Sequence, residues 1–208
     1  MVREYIKKNF NENEPILIQD MRIDTMNKNA IRQAVNRMVL DGDLVRFDTG
    51  VYYRPQISTL FGLRTLEPYK VIERKYIKDN FQTFGYLTGM RFANIMGLTT
   101  QVPFKLEITS NNEASKGREV QVGWQKVRLK KPVVRINSEN AKILQFLEGV
   151  ANAELYTEYS IDETVELLKA YIIQNNLTKE DLHSVEDAIT EAAAKKLILW
   201  ELIYDFAS

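Results

Sequence analysis

No cysteine occurs among the 208 residues, and there is only one histidine. Disulfides, thiolate metal sites and cysteine nucleophiles are thereby excluded, and a zinc site built on His183 would need an unusual set of carboxylates. His183 sits among acids and reads as a surface residue. No apolar run approaches the roughly 18 residues that cross a bilayer. The opening stretch, MVREYIKKNFNENEP, carries charges where a secretory signal needs an apolar core. Thr99-Thr100 after Gly97 lacks the glycines and lysine of a phosphate-binding loop. Acidic pairs near the C-terminus are spaced as solvated helix faces, with no acid–base dyad singled out. These absences predict a soluble cytoplasmic protein, not an enzyme, with no catalytic residues, no metal and no cofactor.

What is present is ordinary globular composition, 45% hydrophobic and 27% charged. The formal net charge of zero hides an asymmetry. Residues 1–73 carry 11 Lys+Arg against 10 Asp+Glu, residues 74–135 carry 12 against 4, and residues 136–208 carry 5 against 14. The three segments are thus +1, +8 and −9, a basic middle and an acidic end.

The most informative stretch runs from Asn27 to Pro55. Asn27 is placed to cap a helix over Lys28–Leu40, where Ala30, Ile31, Ala34, Val35, Met38 and Val39 form one apolar stripe. The opposite face carries Lys28, Asn29, Arg32, Gln33, Asn36 and Arg37, with no acid among them. Asp41-Gly42 ends the helix, glycine supplying the left-handed conformation of a C-terminal cap. Strands follow at 43–47 and 51–54, joined by Asp48-Thr49-Gly50, a hairpin turn signal. A helix whose outer face is Arg, Lys, Asn and Gln suits the major groove, where Arg pairs with guanine and Asn or Gln with adenine. With a helix at 2–10 and a second short one at 18–22, this predicts a winged helix-turn-helix. The same pattern also describes an α+β domain whose polar face is merely solvated.

Residues 56–66 read as a connector, and a helix starts at Pro68. Residues 83–89 look like a turn-rich lead-in to a helix at 90–96, stopped by Gly97. Alternation then turns β over 102–135. A helix capped by Asn137 or Ser138 runs to Leu147 and is closed by Gly149. Ser160, with Glu163 three residues on, caps Ile161–Gln174, and Thr178 with Asp181 caps another helix. The final run, 192–206, has Leu197, Ile198, Trp200, Leu202, Ile203, Tyr204 and Phe206 almost all round it, so it must be buried in this chain or at a subunit interface.

The predicted architecture is therefore α+β: an N-terminal winged helix-turn-helix (1–57), a mixed α/β domain (66–150) and an acidic helical C-terminal region (151–208). The segments LDGDLVRFDTGVYYRP, FGYLTGMRFANIMGLTTQVPFKLEITSN, VGWQKVRLKKP and ENAKILQFLEGV together resemble the AbiEi-type antitoxins of bacterial type IV toxin–antitoxin systems, in particular the DUF6088-like branch. The resemblance covers residues 1–150, and its specific part is 85–103. It implies binding of a promoter inverted repeat in double-stranded DNA through the N-terminal domain, with transcriptional autorepression. It also implies antitoxin action against a nucleotidyltransferase-like toxin without a stable complex. Two copies would occupy one operator, as a preformed dimer or cooperatively on DNA.

Base reading is expected of Asn29, Arg32, Gln33 and Asn36, and phosphate anchoring of Lys28, Arg37, Arg46 and Arg54. A second basic cluster, Lys116, Arg118, Lys126, Arg128, Lys130 and Lys131, is either a further phosphate surface or an edge strand protected by cations from aggregation. A toxin-neutralising interaction protein without DNA binding is the alternative of a different class. A nucleic-acid-modifying enzyme lacks any visible nucleophile, metal set or phosphate loop.

Overall fold

The computed structural model describes residues 1–58, 62–114 and 117–207. Its contacts divide the chain into two units: Met1–Arg74 with Val122–Trp124, and Lys75–Gln121 with Gln125–Ser208. Among the described residues no helix is long and apolar enough to cross a membrane.

In the first unit, α1 (Val2–Asn9) is followed by β1 (Ile16–Leu17), a short 3-10 turn at Ile18–Asp20, α2 (Lys28–Leu40) and the hairpin β2 (Val45–Asp48) and β3 (Val51–Tyr53). The strands form one sheet in the order β1-β3-β2. The short helix expected at 18–22 is corrected to that single 3-10 turn, because Met21 is already extended, with ψ at 116°. The α2 boundaries follow from its caps. Asn27 Oδ1 accepts from the Ala30 amide at 2.8 Å. At the other end Gly42 takes φ +79°, which lets its amide reach the Val39 carbonyl at 3.2 Å. Ile31, Val35 and Met38 face inward and meet Val2, Ile6, Phe10, Ile16, Leu44 and Tyr52 in one core. The hairpin turns through Thr49-Gly50, with Gly50 at φ +74°. A register shift between Arg46 and Asp48 bends β2.

The connector expected over 56–66 instead contains two paired strands, β4 (Gln56–Ser58) and β5 (Gly62–Arg64). Next comes α3 (Pro68–Tyr76), with Val71 and Ile72 fully buried. Arg74, 9% exposed, is paired through Nε with Asp20 at 2.8 Å and lies over the Phe10 ring.

The second unit is built on a four-stranded sheet of β6 (Gly85–Thr88), β7 (Lys105–Ser110), β8 (Arg118–Val122) and β9 (Gln125–Lys130), in the order β6-β7-β9-β8. The central pair, β7 and β9, is parallel, and β6 is antiparallel to β7. Residues 83–89 are thus not a turn-rich lead-in: Gly85–Thr88 is a fully buried strand. Residues 102–104 and 131–136 lie outside the strands, so the β segment is shorter than expected.

Five helices cover the sheet's Tyr86 face: α4 (Gly89–Ile95), α5 (Ala141–Tyr156), α6 (Ile161–Gln174), α7 (Lys179–Ser184) and α8 (Glu191–Leu199) share one apolar cluster, with α7 contributing only the half-buried Leu182. Phe146 of α5 stacks on Tyr171 of α6 at 5.7 Å and meets Phe206 edge-on at 6.0 Å. Phe92 of α4 meets Tyr171 edge-on at 5.6 Å. Beyond residue 150 the chain therefore contributes Ala153, Leu168, Ile172, Leu197, Leu202 and Phe206 to the same core as α4. Both expected capping boxes are present, Ser160 with Glu163 and Thr178 with Asp181. Helix α5 does not stop at Gly149 but runs through it; the position is glycine because a Cβ there would lie 2.7 Å from Met96 Cε and 2.8 Å from Phe92 Cε1. Of the final apolar run, Leu197, Leu202 and Phe206 are buried, while Ile198, Leu199 and Tyr204 remain exposed.

The loop after α4 is tied to the end of α5 by Glu158. Its carboxylate accepts from the Thr100 amide at 2.9 Å, the Thr100 hydroxyl at 3.0 Å and Gln101 Nε2 at 2.9 Å. The Thr100 backbone bond first, then Gln101 and the Thr99 and Thr100 side chains, hold its pKa down to about 2, from 4.5. The stabilisation from this charge is complete above the ordinary carboxylate range and is lost as pH falls through about 2. Glu158→Gln is expected to melt below wild type at neutral pH, with the gap closing towards pH about 2. A gap independent of pH in thermal scans would refute the charge-based tie.

Candidate nucleic-acid interface

The α2 surface is assembled by helical spacing alone. With Ile31, Val35 and Met38 committed to the core, Lys28, Asn29, Arg32, Gln33, Asn36 and Arg37 are all exposed. Asn29 and Asn36 are seven residues apart, about 10 Å along the axis at 1.5 Å per residue. That matches roughly three base-pair steps of 3.4 Å. Arg32 Nη1 donates to Asn29 Oδ1 at 3.2 Å, so the guanidinium is already aligned with a neighbouring amide. No acid lies within Lys28–Leu40; the nearest, Asp41 and Asp43 beyond its C-terminus, are paired with Arg3.

The two arginines expected on the wing differ. Arg46 is exposed on β2 and curls over its own turn, with long bonds to the Asp48 carbonyl and the Thr49 hydroxyl, both 3.4 Å. Arg54 is directed into its own unit: it donates to the Phe10 carbonyl at 3.0 Å and lies 3.9 Å from Glu12, with a side chain 26% exposed. It holds the C-terminal end of α1 against the residue after β3.

The second basic cluster is split by ion pairs. Lys116 lies outside the described residues. Arg118 is bound by the buried Glu113 at 2.6 Å, and that contact raises its pKa. Lys126 and Arg128 stand exposed on β9, alternating with the buried Val127 and Leu129. Lys126 lies 5.9 Å from the ring of the exposed Phe104. Lys131 is exposed as well. Lys130 stands on the same strand face but is taken up by acids. It pairs with Glu107 at 2.8 Å and reaches Glu148 at 3.5 Å. Burial disfavours its charge, but the Glu107 bond and the two carboxylates outweigh that and raise its pKa. Among the described residues of the cluster, Lys126, Arg128 and Lys131 are exposed, as is the Glu113-bound Arg118.

One constellation had no place in the sequence reading. The strand register sets Tyr86, Thr109 and Lys130 side by side on one face of the sheet. Opposite them α5 presents Glu148, which accepts from the Thr109 hydroxyl at 3.0 Å. Burial and then Glu148 push the Tyr86 hydroxyl well above the ordinary tyrosine range, so it stays protonated. The available signal was an acid within the apolar stripe Leu144, Leu147, Glu148, Ala151. His183 is on the surface, with Nδ1 3.1 Å from Glu186, and among the described residues no acid and histidine cluster is arranged to hold a metal ion.

Residues 2–177 match the model of a family described as a family of unknown function, DUF6088. No curated protein matches the chain.

Proposed function

We propose that this chain, which belongs to the DUF6088 family, is a sequence-specific DNA-binding autorepressor that also serves as the antitoxin of a type IV pair, acting without catalysis. The observation that carries the DNA-binding half is the outer face of α2: six exposed donors and amides over three turns, with no carboxylate among them. The surrounding elements support a winged helix-turn-helix. The helix α1, the 3-10 turn and α2 pack on one core, and the hairpin β2–β3 supplies the wing. In this reading α2 enters the major groove of a promoter inverted repeat, Arg32 with Asn29, Gln33 and Asn36 reads base edges, and Lys28, Arg37 and Arg46 hold phosphates. Two copies occupy the two half-sites. The antitoxin half is supported by the sequence resemblance and acts against a nucleotidyltransferase-like toxin without a stable complex.

Gel shifts with the DNA upstream of the reading frame test the first half. A toxin-neutralising protein without DNA affinity would shift neither that fragment nor a shuffled one. Growth rescue on co-expression with an adjacent nucleotidyltransferase gene tests the second.

The exposed cations of β9 supply a further phosphate surface in this reading. Each phosphate contact contributes about 0.9 to the slope of log K against log salt on duplex DNA. Replacing Lys126 and Arg128 by serine is expected to flatten that slope by about 1.8 while preference for the operator is kept. A slope equal to wild type would leave these residues as a solvated face only; edge protection does not apply, because β9 lies between β7 and β8.

A further inference from the structure

Between the sheet and the start of α8 lies a cleft of about 250 Å³, all of it within the second unit. Its floor is polar, made of Tyr86, Thr109, Lys130 and Glu148. Its walls include Val134, Leu147, Ala151 and Ala188. An apolar cavity of about 150 Å³ already admits benzene, so this one has room for a single ring with a substituent. The floor is unevenly satisfied. Lys130 Nζ sits 2.8 Å from Glu107 Oε2 but 3.5 Å from Glu148 Oε1. The other Glu148 oxygen, Oε2, takes the Thr109 hydroxyl at 3.0 Å. The Tyr86 hydroxyl also bonds Glu148; a carboxylate accepts about four hydrogen bonds, so with Thr109, Tyr86 and the long Lys130 contact on it Glu148 keeps room for one more donor. Two carboxylates, Glu107 and Glu148, share one half-buried ammonium. The other cation on the lining, Lys131, is exposed and screened by water.

We propose that this cleft binds a small organic cation, an amine or amidinium nitrogen seated on Glu148 with a compact apolar body against Val134, Leu147, Ala151 and Ala188. The neutral Tyr86 hydroxyl and the Asn152 side chain border the same space. The Asn152 amide is turned to the Glu148 carbonyl at 2.8 Å, which fixes the rim on α5. Lys130 is the internal competitor: it holds the charge that the ligand's nitrogen would offset. No residue of the site belongs to α2.

The probes are benzamidine and its neutral isostere benzamide, titrated into the full-length protein by calorimetry at fixed ionic strength. Saturable binding of benzamidine is expected, with benzamide weaker by at least about tenfold. Glu148→Gln should remove that preference. Lys130→Gln, which frees both carboxylates, should tighten benzamidine. Should Glu148→Gln not give folded protein by circular dichroism, Ala188→Leu, which narrows the cleft and leaves the carboxylate intact, is expected to weaken benzamidine instead. Equal binding of the two probes, no saturable binding of benzamidine, or unchanged affinity in the readable variant would each overturn the assignment.

Discussion

A protein carrying Arg32→Ala together with Gln33→Ala is expected to bind its own upstream DNA no more tightly than a shuffled duplex of equal length. Each bidentate base contact contributes about 1–3 kcal/mol of discrimination. Losing two should therefore remove roughly 2–6 kcal/mol, about thirtyfold to twenty-thousandfold in the ratio of specific to non-specific binding. Neither residue has a core role, since both lie on the exposed face while Ile31, Val35 and Met38 carry the packing of α2. Stability should stay within about 0.5 kcal/mol of wild type, so a loss of preference cannot be ascribed to unfolding. Lys28→Ala gives the contrast. A phosphate anchor weakens operator and shuffled DNA alike and flattens the salt slope by about 0.9. Fluorescence anisotropy at two salt concentrations separates the two behaviours. If the double variant keeps its preference for the upstream fragment, α2 is not the reading element.

How much of this was legible in the sequence depends on whether the cause was local. Asn27, Ser160 and Thr178 cap helices through bonds spanning three residues, and all three are where the sequence puts them. The stripe that orients α2 is equally local, which is why its polar face could be named in advance. Strand Gly85–Thr88 was missed because flanking glycines resemble a turn, whereas its partner, β7, lies some twenty residues away. Residues 56–64 failed for a related reason: the pairing of Gln56 with Arg64 leaves no strong alternation to read. The final run looked apolar on all sides, but its helix ends at Leu199 and Glu201 takes φ +56°, so Leu202 and Phe206 turn inward while Ile198 stays outside. The cleft floor was least visible of all, since it unites residues as far apart as Tyr86 and Glu148. Alternation groups Lys130 with Arg128 on one strand face, and the register keeps them there, yet Glu107 and Glu148 take Lys130 up.

Gly85 and Gly149 show the same limit in a form that can be measured. Both look like punctuation in the sequence, and both are glycine because another group occupies the space a side chain would need. At Gly85 a Cβ would lie 2.0 Å from the Tyr76 carbonyl oxygen and 2.9 Å from that of Thr109. Those neighbours are backbone, and the Thr109 carbonyl belongs to the strand paired with β6, so neither can swing aside. Gly85→Ala is expected to cost more than about 4 kcal/mol, in the range reserved for a broken core. At Gly149 the neighbours are the flexible end of Met96 and the edge of Phe92, and alanine in a helix interior regains about 1 kcal/mol over glycine. Overpacking there costs about 1–3 kcal/mol, so Gly149→Ala should lose at most about 2 kcal/mol net. Urea titrations would show a large fall in midpoint for the first variant and a small one for the second, at unchanged slope. Equal midpoints for Gly85→Ala and wild type would mean that β6 does not pass beneath the Tyr76 carbonyl, and the strand that carries Tyr86 into the cleft would have to be redrawn.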